Sequence, residues 1–389
     1  MIYLDANATT PPDPAVIEDM LPYLTRHYGN PSASHSEGRW ARKAVEAARS
    51  QVAALLGAEP PEITFTSSAT ESINSIHLSA RQTFADRPLL IISATEHAAT
   101  LACAGRWREQ GGRVKIIPVF PNGLLNLEAL ESALEPGSTA LVSMLWGNNE
   151  TGVIQPMEEI VQLAHAAGAL VHADAVQMAG RVPVDVRAVA VDYLSLSGHK
   201  MHAPKGIGAL FISHHAPFRS LIIGGGQERE QRSGTENVPG IVALGKAAEL
   251  AMFHGAGSVR LSAELRDKLE HSLLAALPDI QIHSRESPRL PNTSSIHFPG
   301  VDAAGMIIRL DQKGIACSGG SACHAGSPHP SHVLEAMGFD ARHAASTVRF
   351  SLSRLTTESE IEQAAWEITA AFHHLRAQWD QDGMVTVAG

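Results

Sequence analysis

The sequence has little cysteine, no surplus of positive charge and no long apolar run, and each lack excludes something. Three cysteines in 389 residues, Cys103, Cys317 and Cys323, are too few and of the wrong parity for a disulfide framework, so a reducing, cytoplasmic setting is expected. Thirty basic residues stand against forty acidic ones, a formal net charge of −10. That balance leaves no basic footprint for a phosphate backbone or an anionic lipid surface, so neither nucleic acid nor membrane is expected as a partner. No uninterrupted apolar stretch reaches the ~18 residues of a membrane span; the longest, 241–253, is broken by Lys246 and Glu249. The opening Met1-Ile2-Tyr3-Leu4-Asp5 has neither the basic nor the apolar region of a secretory signal. Internal repeats and low-complexity tails are also lacking.

What is there is 44% hydrophobic and 18% charged, enough apolar material for a large enzyme core. The length exceeds one ordinary domain, so two lobes are expected. Helical periodicity marks 37–56, 70–84, 98–110, 127–134 and 157–167. Short β-branched runs lie between and after them at 63–66, 89–93, 114–118, 140–144, 170–173 and 193–197. Such alternation predicts an α/β fold with a mostly parallel sheet flanked by helices, and a ligand at the carboxyl ends of its strands. Gly255-Ala256-Gly257-Ser258 interrupts a long helical region and is the expected hinge to a smaller α+β lobe. That lobe should hold two helices, a strand near 294–298, a helix from Asp302, a loop from Ser318, a strand near 348–352 and a final amphipathic helix from Glu358. Periodicity fades after residue 377, where fraying is expected. The boundaries that follow are 14–254 for the large domain, with 1–13 and 255–389 forming the small one.

Three signals each follow a predicted strand. Ser67-Ser68-Ala69-Thr70-Glu71 combines hydroxyls with the start of a helix, an anion cradle. His172-Ala173-Asp174-Ala175-Val176-Gln177 delivers a carboxylate to a strand end, and Ser195-Leu196-Ser197-Gly198-His199-Lys200 delivers a lysine. Singly these are helix caps, loop carboxylates and solvated amines more often than ligands. Together, on one sheet, they are the set that pyridoxal 5′-phosphate requires. A lysine binds its aldehyde, and a buried carboxylate keeps its ring nitrogen protonated so that the ring withdraws electrons. The glycine run at 224–226 follows no strand with a G-x-G-x-x-G pattern, so it is no dinucleotide fingerprint and reads as a tight loop near a subunit contact.

These motifs, with Tyr3-Leu4-Asp5-Ala6-Asn7-Ala8-Thr9-Thr10, Gly29-Asn30-Pro31-Ser32, Thr95-Glu96-His97, Asn148-Asn149-Glu150-Thr151-Gly152 and Arg232-Ser233-Gly234-Thr235, resemble the cysteine desulfurases of the NifS/IscS type. These are class V, fold-type I pyridoxal-phosphate enzymes. The resemblance runs from residue 2 to about 375, in the family's order. It implies that Lys200 binds the cofactor aldehyde, Asp174 the ring nitrogen and Gln177 the ring hydroxyl. His97 would stack on the ring and shuttle protons, and Asn149 would contact the ring hydroxyl or the substrate. Ala69, Thr70, Ser197 and His199 would hold the phosphate, joined by Thr235 from the neighbouring subunit of a homodimer.

The choice of reaction is expected from Ser318-Gly319-Gly320-Ser321-Ala322-Cys323-His324-Ala325-Gly326-Ser327. A cysteine among glycines and serines has no packing role. The resemblance implies that Cys323 takes sulfur from L-cysteine as a persulfide and passes it to a protein acceptor, such as an iron–sulfur scaffold or another thio-cofactor pathway. An unperturbed thiol is only a few per cent ionised near neutrality, so a neighbour must help, and His324 is adjacent where the family commonly has a small hydroxyl residue. Arg349, inside Val348-Arg349-Phe350-Ser351, matches the residue that grips the substrate carboxylate. Cys317 and Cys323 with His324, His329 and His332 lack the paired spacing of a structural zinc site, so no metal is expected. Cys103, in a helical stretch, reads as core. A selenocysteine or cystine lyase on the same frame, and a non-catalytic relative, stay open as alternatives.

Overall fold

The computed structural model describes residues 1–319 and 331–387. β1 (Ile2–Tyr3) precedes α1 (Pro14–Thr25), which Asp13 caps by accepting from the Ala15 amide, and α2 (Ser36–Leu56), which Gly57 ends at φ 66°. There follow β2 (Ile63–Thr66), α3 (Ala69–Thr83), β3 (Leu89–Ser93), α4 (Ala98–Glu109), β4 (Arg113–Ile117), α5 (Leu127–Ala133), β5 (Thr139–Leu145), α6 (Met157–Ala166), β6 (Leu170–Asp174), α7 (Val186–Val189), β7 (Tyr193–Ser197) and β8 (Gly208–Ile212). Each of the five helices and six strands read from the pattern lies within one residue of its predicted bounds at both ends. α1 and β8 were not anticipated.

The strands form one seven-stranded sheet in the order β2-β8-β7-β6-β5-β3-β4, parallel except for β8, which runs against β2 and β7. Its β3, β5 and β7 are buried along their whole length, as expected for a sheet with helices on both faces. Strand order thus brings the ends of β2, β7, β6, β5 and β3 to one edge, although they are far apart in sequence.

α8 (Val238–Ala276) leads into the remaining structure. The expected hinge is a kink inside this 39-residue helix, where Gly255 adopts φ 34° and ψ −131°. Helix resumes directly after it and runs to Ala276; between it and β10 lie only β9 and turns, so one helix stands where two were expected. Then come β9 (Gln281–Ile282), β10 (Thr293–His297), α9 (Ala303–Gln312), β11 (Ile315–Ala316), β12 (Ser318–Gly319), α10 (His332–Ala336), α11 (Ala341–Ala345), β13 (Thr347–Ser351) and α12 (Glu358–Val387). β12, β13, β10 and β9 make an antiparallel sheet, and β1 pairs parallel with β11. α12 is helical to Val387, where fraying was expected from residue 378. Ile361, Ala364, Ile368 and Phe372 anchor the helix by burial, and propagation then adds one hydrogen bond per residue without needing an amphipathic pattern.

Two apolar clusters are the largest among the described residues. One fills the large sheet and its helices; the other joins Ile2 and Leu4 to Leu265, Leu269, Phe298, Phe350 and Phe372. Buried ion pairs brace each. Arg49 meets Glu228 at 2.7 Å, and Arg289 meets Glu270 at 2.9 Å.

Candidate active site

Ser68, two residues past β2, has extended backbone and caps α3, its hydroxyl accepting the Glu71 amide at 3.3 Å. The amides of Ala69 and Thr70 therefore open the first turn of α3, where the helix dipole favours an anion. β8 passes so close beneath this turn that a Cβ on Gly208 would lie 2.9 Å from Ser68 C and 2.8 Å from Leu196 O. After β3, His97 caps α4, its Nδ1 accepting the Ala99 amide at 3.2 Å. That bond leaves the neutral ring's proton on Nε2. The capping expected of a helix-start histidine is therefore observed, and the same residue also lines the cavity at the strand ends.

β5 leads into a turn organised by Asn148, whose Oδ1 accepts from the amides of Glu150 and Thr151, each at 2.9 Å. Gly152 completes it at φ 81°, with Thr293 so near that a Cβ would lie 2.9 Å away. The turn presents Asn149, whose carbonyl accepts from Asn7 Nδ2 at 3.0 Å and Arg349 Nη1 at 2.9 Å. β6 ends on Asp174, which is 2% exposed and accepts the Val176 amide at 3.0 Å. Gln177 donates to the Asn7 carbonyl at 3.0 Å and accepts from Arg181. β7 ends at Ser197, and a single 3-10 turn carries Lys200, whose Nζ donates to the carbonyls of Asn7 and Ala8 at 2.6 and 2.7 Å.

These loops enclose a cavity of about 280 Å³ lined by Ala69, Thr70, His97, Asn149, Asp174, Gln177, Ser197, His199, Lys200 and Arg349. Every site residue expected within one chain and described in the structure therefore reaches one cavity. Thr235 does not; it lines a separate depression with Ser67, Glu228 and Arg232. Cys323 and His324 lie outside the described residues, as does His329.

Burial raises the pKa of Asp174, while His97, the Val176 amide and Lys200 pull it back. The His199 imidazole is pushed down to about 4 by burial and by the cations Lys200, Lys205 and Arg181. It is therefore neutral near physiological pH, and its Nδ1 sits 3.1 Å from Thr9 Oγ1. Arg349 is 1% exposed and not a surface ion-pair residue. Its Nη2 donates to Asp5 at 2.8 Å, so both terminal nitrogens are engaged and Nε alone lacks a partner among the described residues. Cys317 is buried and its thiol pushed up to about 12, an inert group; Cys103 packs with Ile73 and Ala99.

Sequence reasoning gave no role to Asn7, Asp5 or Arg181. The signal was there in the Asp5-Ala6-Asn7 run, but it has no periodicity, and its contacts lie 142 to 344 residues away. Among the described residues no helix is long and apolar enough to cross a membrane, and no group of three His, Cys, Asp or Glu side chains is placed to hold a metal ion.

A mostly parallel sheet with a lysine and a buried carboxylate at neighbouring strand ends defines a class, and the chain belongs to the class-V aminotransferase family, whose model matches residues 2–364. Members of this family use pyridoxal phosphate. Within it, a cysteine desulfurase from Trichormus azollae is 46% identical over 377 residues, spanning 97% of this chain and 94% of the relative. Among solved structures, a NifS-like protein is 39% identical with a TM-score of 0.89 over 96% of this chain and all of the other. SspA in complex with cysteine is 32% identical with a TM-score of 0.79, over 92% of this chain and all of SspA.

Proposed function

We propose that this protein is a pyridoxal-phosphate-dependent cysteine desulfurase. It converts L-cysteine to L-alanine, holds the sulfur as a persulfide on Cys323 and passes it to an acceptor protein, such as an iron–sulfur scaffold or another thio-cofactor pathway. The observation that carries this reading is the convergence of Lys200, Asp174 and His97 on one cavity at the strand ends. The donor set fits the coenzyme: an amine for an aldehyde, a buried carboxylate for a ring nitrogen, and the opening amides of α3 for a phosphate. Bound there, the coenzyme would supply an electron-withdrawing ring that stabilises negative charge at the substrate Cα.

The chain's own residues would do the rest. Lys200 would hold the coenzyme and, released by the substrate amine, take the proton from Cα. Asp174 would keep a proton on the ring nitrogen by a charge-assisted bond worth roughly 1.5–3 kcal/mol. Gln177 and Asn149 would bind the ring hydroxyl. Ala69, Thr70, Ser197 and neutral His199 would hold the phosphate, and Thr235 would reach the phosphate site of the neighbouring subunit in a homodimer. Arg349 would bind the substrate carboxylate, and His97 would stack on the ring and move protons. The Cys323 thiolate would attack the substrate sulfur: an S–S bond forms, the C–S bond breaks, and its electron pair stays on carbon to be protonated. L-cysteine and the enzyme thiol thus become L-alanine and the enzyme persulfide, in balance.

The two largest apolar clusters support a large domain over 14–254 and a small one over 1–13 and 255–389. Sparse cysteine supports a cytoplasmic location. Brief exposure to L-cysteine followed by mass spectrometry tests the reaction. One added sulfur is expected on the Cys323 peptide and none in Cys323→Ser. A chain that gains no sulfur at this position, or a Cys323→Ala variant with undiminished cysteine turnover, would refute it.

A further inference from the structure

After the segment that carries Cys323, the described chain resumes at Ser331, and its first two residues are tied to two loops of the cavity. Ser331 Oγ donates to Glu150 Oε2 at 2.5 Å and accepts the Leu334 amide at 3.2 Å, so one hydroxyl holds the carboxyl and caps α10. His332 Nε2 donates to the Glu96 carbonyl at 2.9 Å. These bonds cross 181 and 236 residues of sequence. Their other ends are the immediate neighbours of Asn149 and His97, both of which line the cavity.

Glu150 is 3% exposed and Ser331 is 4% exposed. A carboxyl so buried loses hydration and needs a partner to offset the loss. Its side chain has one hydrogen-bond partner among the described residues, Ser331, although Arg349 and His97 are near enough for their charge to act on it. Its amide is held by Asn148, so the carboxyl is aimed by the same turn that aims Asn149.

We propose that Glu150 is a positioning residue for sulfur transfer: through Ser331, with the His332–Glu96 bond beside it, it sets where the chain following Cys323 is anchored relative to His97 and Asn149. This rests on the desulfurase reading. Substrate binding does not depend on the anchor; the meeting of the enzyme thiol with the substrate sulfur does.

The test compares holoenzymes of the wild type, Glu150→Ala, Glu150→Gln, Ser331→Ala and the double alanine variant. For each, the change in cofactor absorbance is titrated with L-cysteine, and the single-turnover rate of sulfur addition to Cys323 is followed by mass spectrometry. Glu150→Ala and Ser331→Ala are expected to keep half-saturation within about twofold while slowing sulfur addition by roughly ten- to a hundredfold. Glu150→Gln, whose amide oxygen still accepts from Ser331, recovers most of the rate. The double variant is no slower than either single one, since each removes the same bond. Undiminished transfer in Glu150→Ala, equal slowing in Glu150→Gln, or loss of cysteine binding together with transfer overturns the proposal. Should Glu150→Ala not fold, Ser331→Ala decides by the same criteria. A wild type that gains no sulfur refutes the desulfurase reading itself, whereas a competent wild type with competent variants refutes only the anchor.

Discussion

Asp174 sits where two fields oppose each other. Burial disfavours its charge, and His97, Lys200 and the Val176 amide favour it. Asp174→Asn keeps the shape and an acceptor for the Val176 amide but removes the charge. Cysteine turnover should fall by roughly a hundredfold or more, while the circular-dichroism spectrum stays unchanged. Turnover within a few-fold of the wild type would show that the carboxylate does not serve the ring. Asp174 and Lys200 were legible because one ends and the other closely follows a strand whose apolar run is plain in the sequence. Asn7 was not, because its amide contacts Asn149 and Thr293, and its carbonyl Gln177, across 142 to 286 residues. Nothing in a local pattern encodes such pairing. Arg349 was found by position, but its engagement with Asp5 and the Asn149 carbonyl was not.

Elements place these side chains through close approaches that only particular residues permit. Gly208 in β8 lies against the Ser68 backbone, which cannot give way as a flexible side chain would. Gly208→Ala should push the start of α3 outward. The expected outcome is loss of stability by about 1–3 kcal/mol and weaker coenzyme retention. Thermal unfolding and dialysis followed by absorbance measure the two effects, and an unchanged retention would remove β8 from the account of the cradle. β8 itself escaped notice, since a five-residue apolar run at 208–212 has no partner until β2 and β7 flank it. The kink in α8 was half legible: Gly255 marks the site, yet helix on both sides keeps the arm continuous.

The whole molecule buries several imidazoles in their neutral form. His77, His199, His202 and His297 are pushed down to about 4 and His283 to about 3, chiefly by burial, and His172 also falls well below the ordinary value. All of them take up protons in the unfolded chain below about pH 6.5 and in the folded chain only at lower pH, near 3 to 4 for the five with values above, so acid favours unfolding as the pH falls through that window. Glu96, pushed up to about 8, and Glu150, pushed up to about 7, act in the opposite sense, because the folded chain holds their protons where the unfolded chain has lost them. Seven lowered imidazoles, His343 included, outweigh three raised carboxyls, Asp174 included. The melting temperature of the holoenzyme should therefore fall by roughly 5 °C or more between about pH 7 and pH 5; an unchanged or higher value at the lower pH would contradict this balance.

By itself the sequence determined the alternation of strands and helices, the chemistry waiting at each strand end and the family to which the chain belongs, because periodicity and short motifs are properties of adjacent residues. Tertiary structure alone decided the strand order that gathers Ser68, His97, Asn149, Asp174 and Lys200 around one cavity, the seating of Asn7 and Arg349, and the bonds from Ser331 and His332 to the loops at Glu150 and Glu96. Those contacts depend on which surfaces bury against each other when the whole chain leaves water, and that outcome belongs to no single segment.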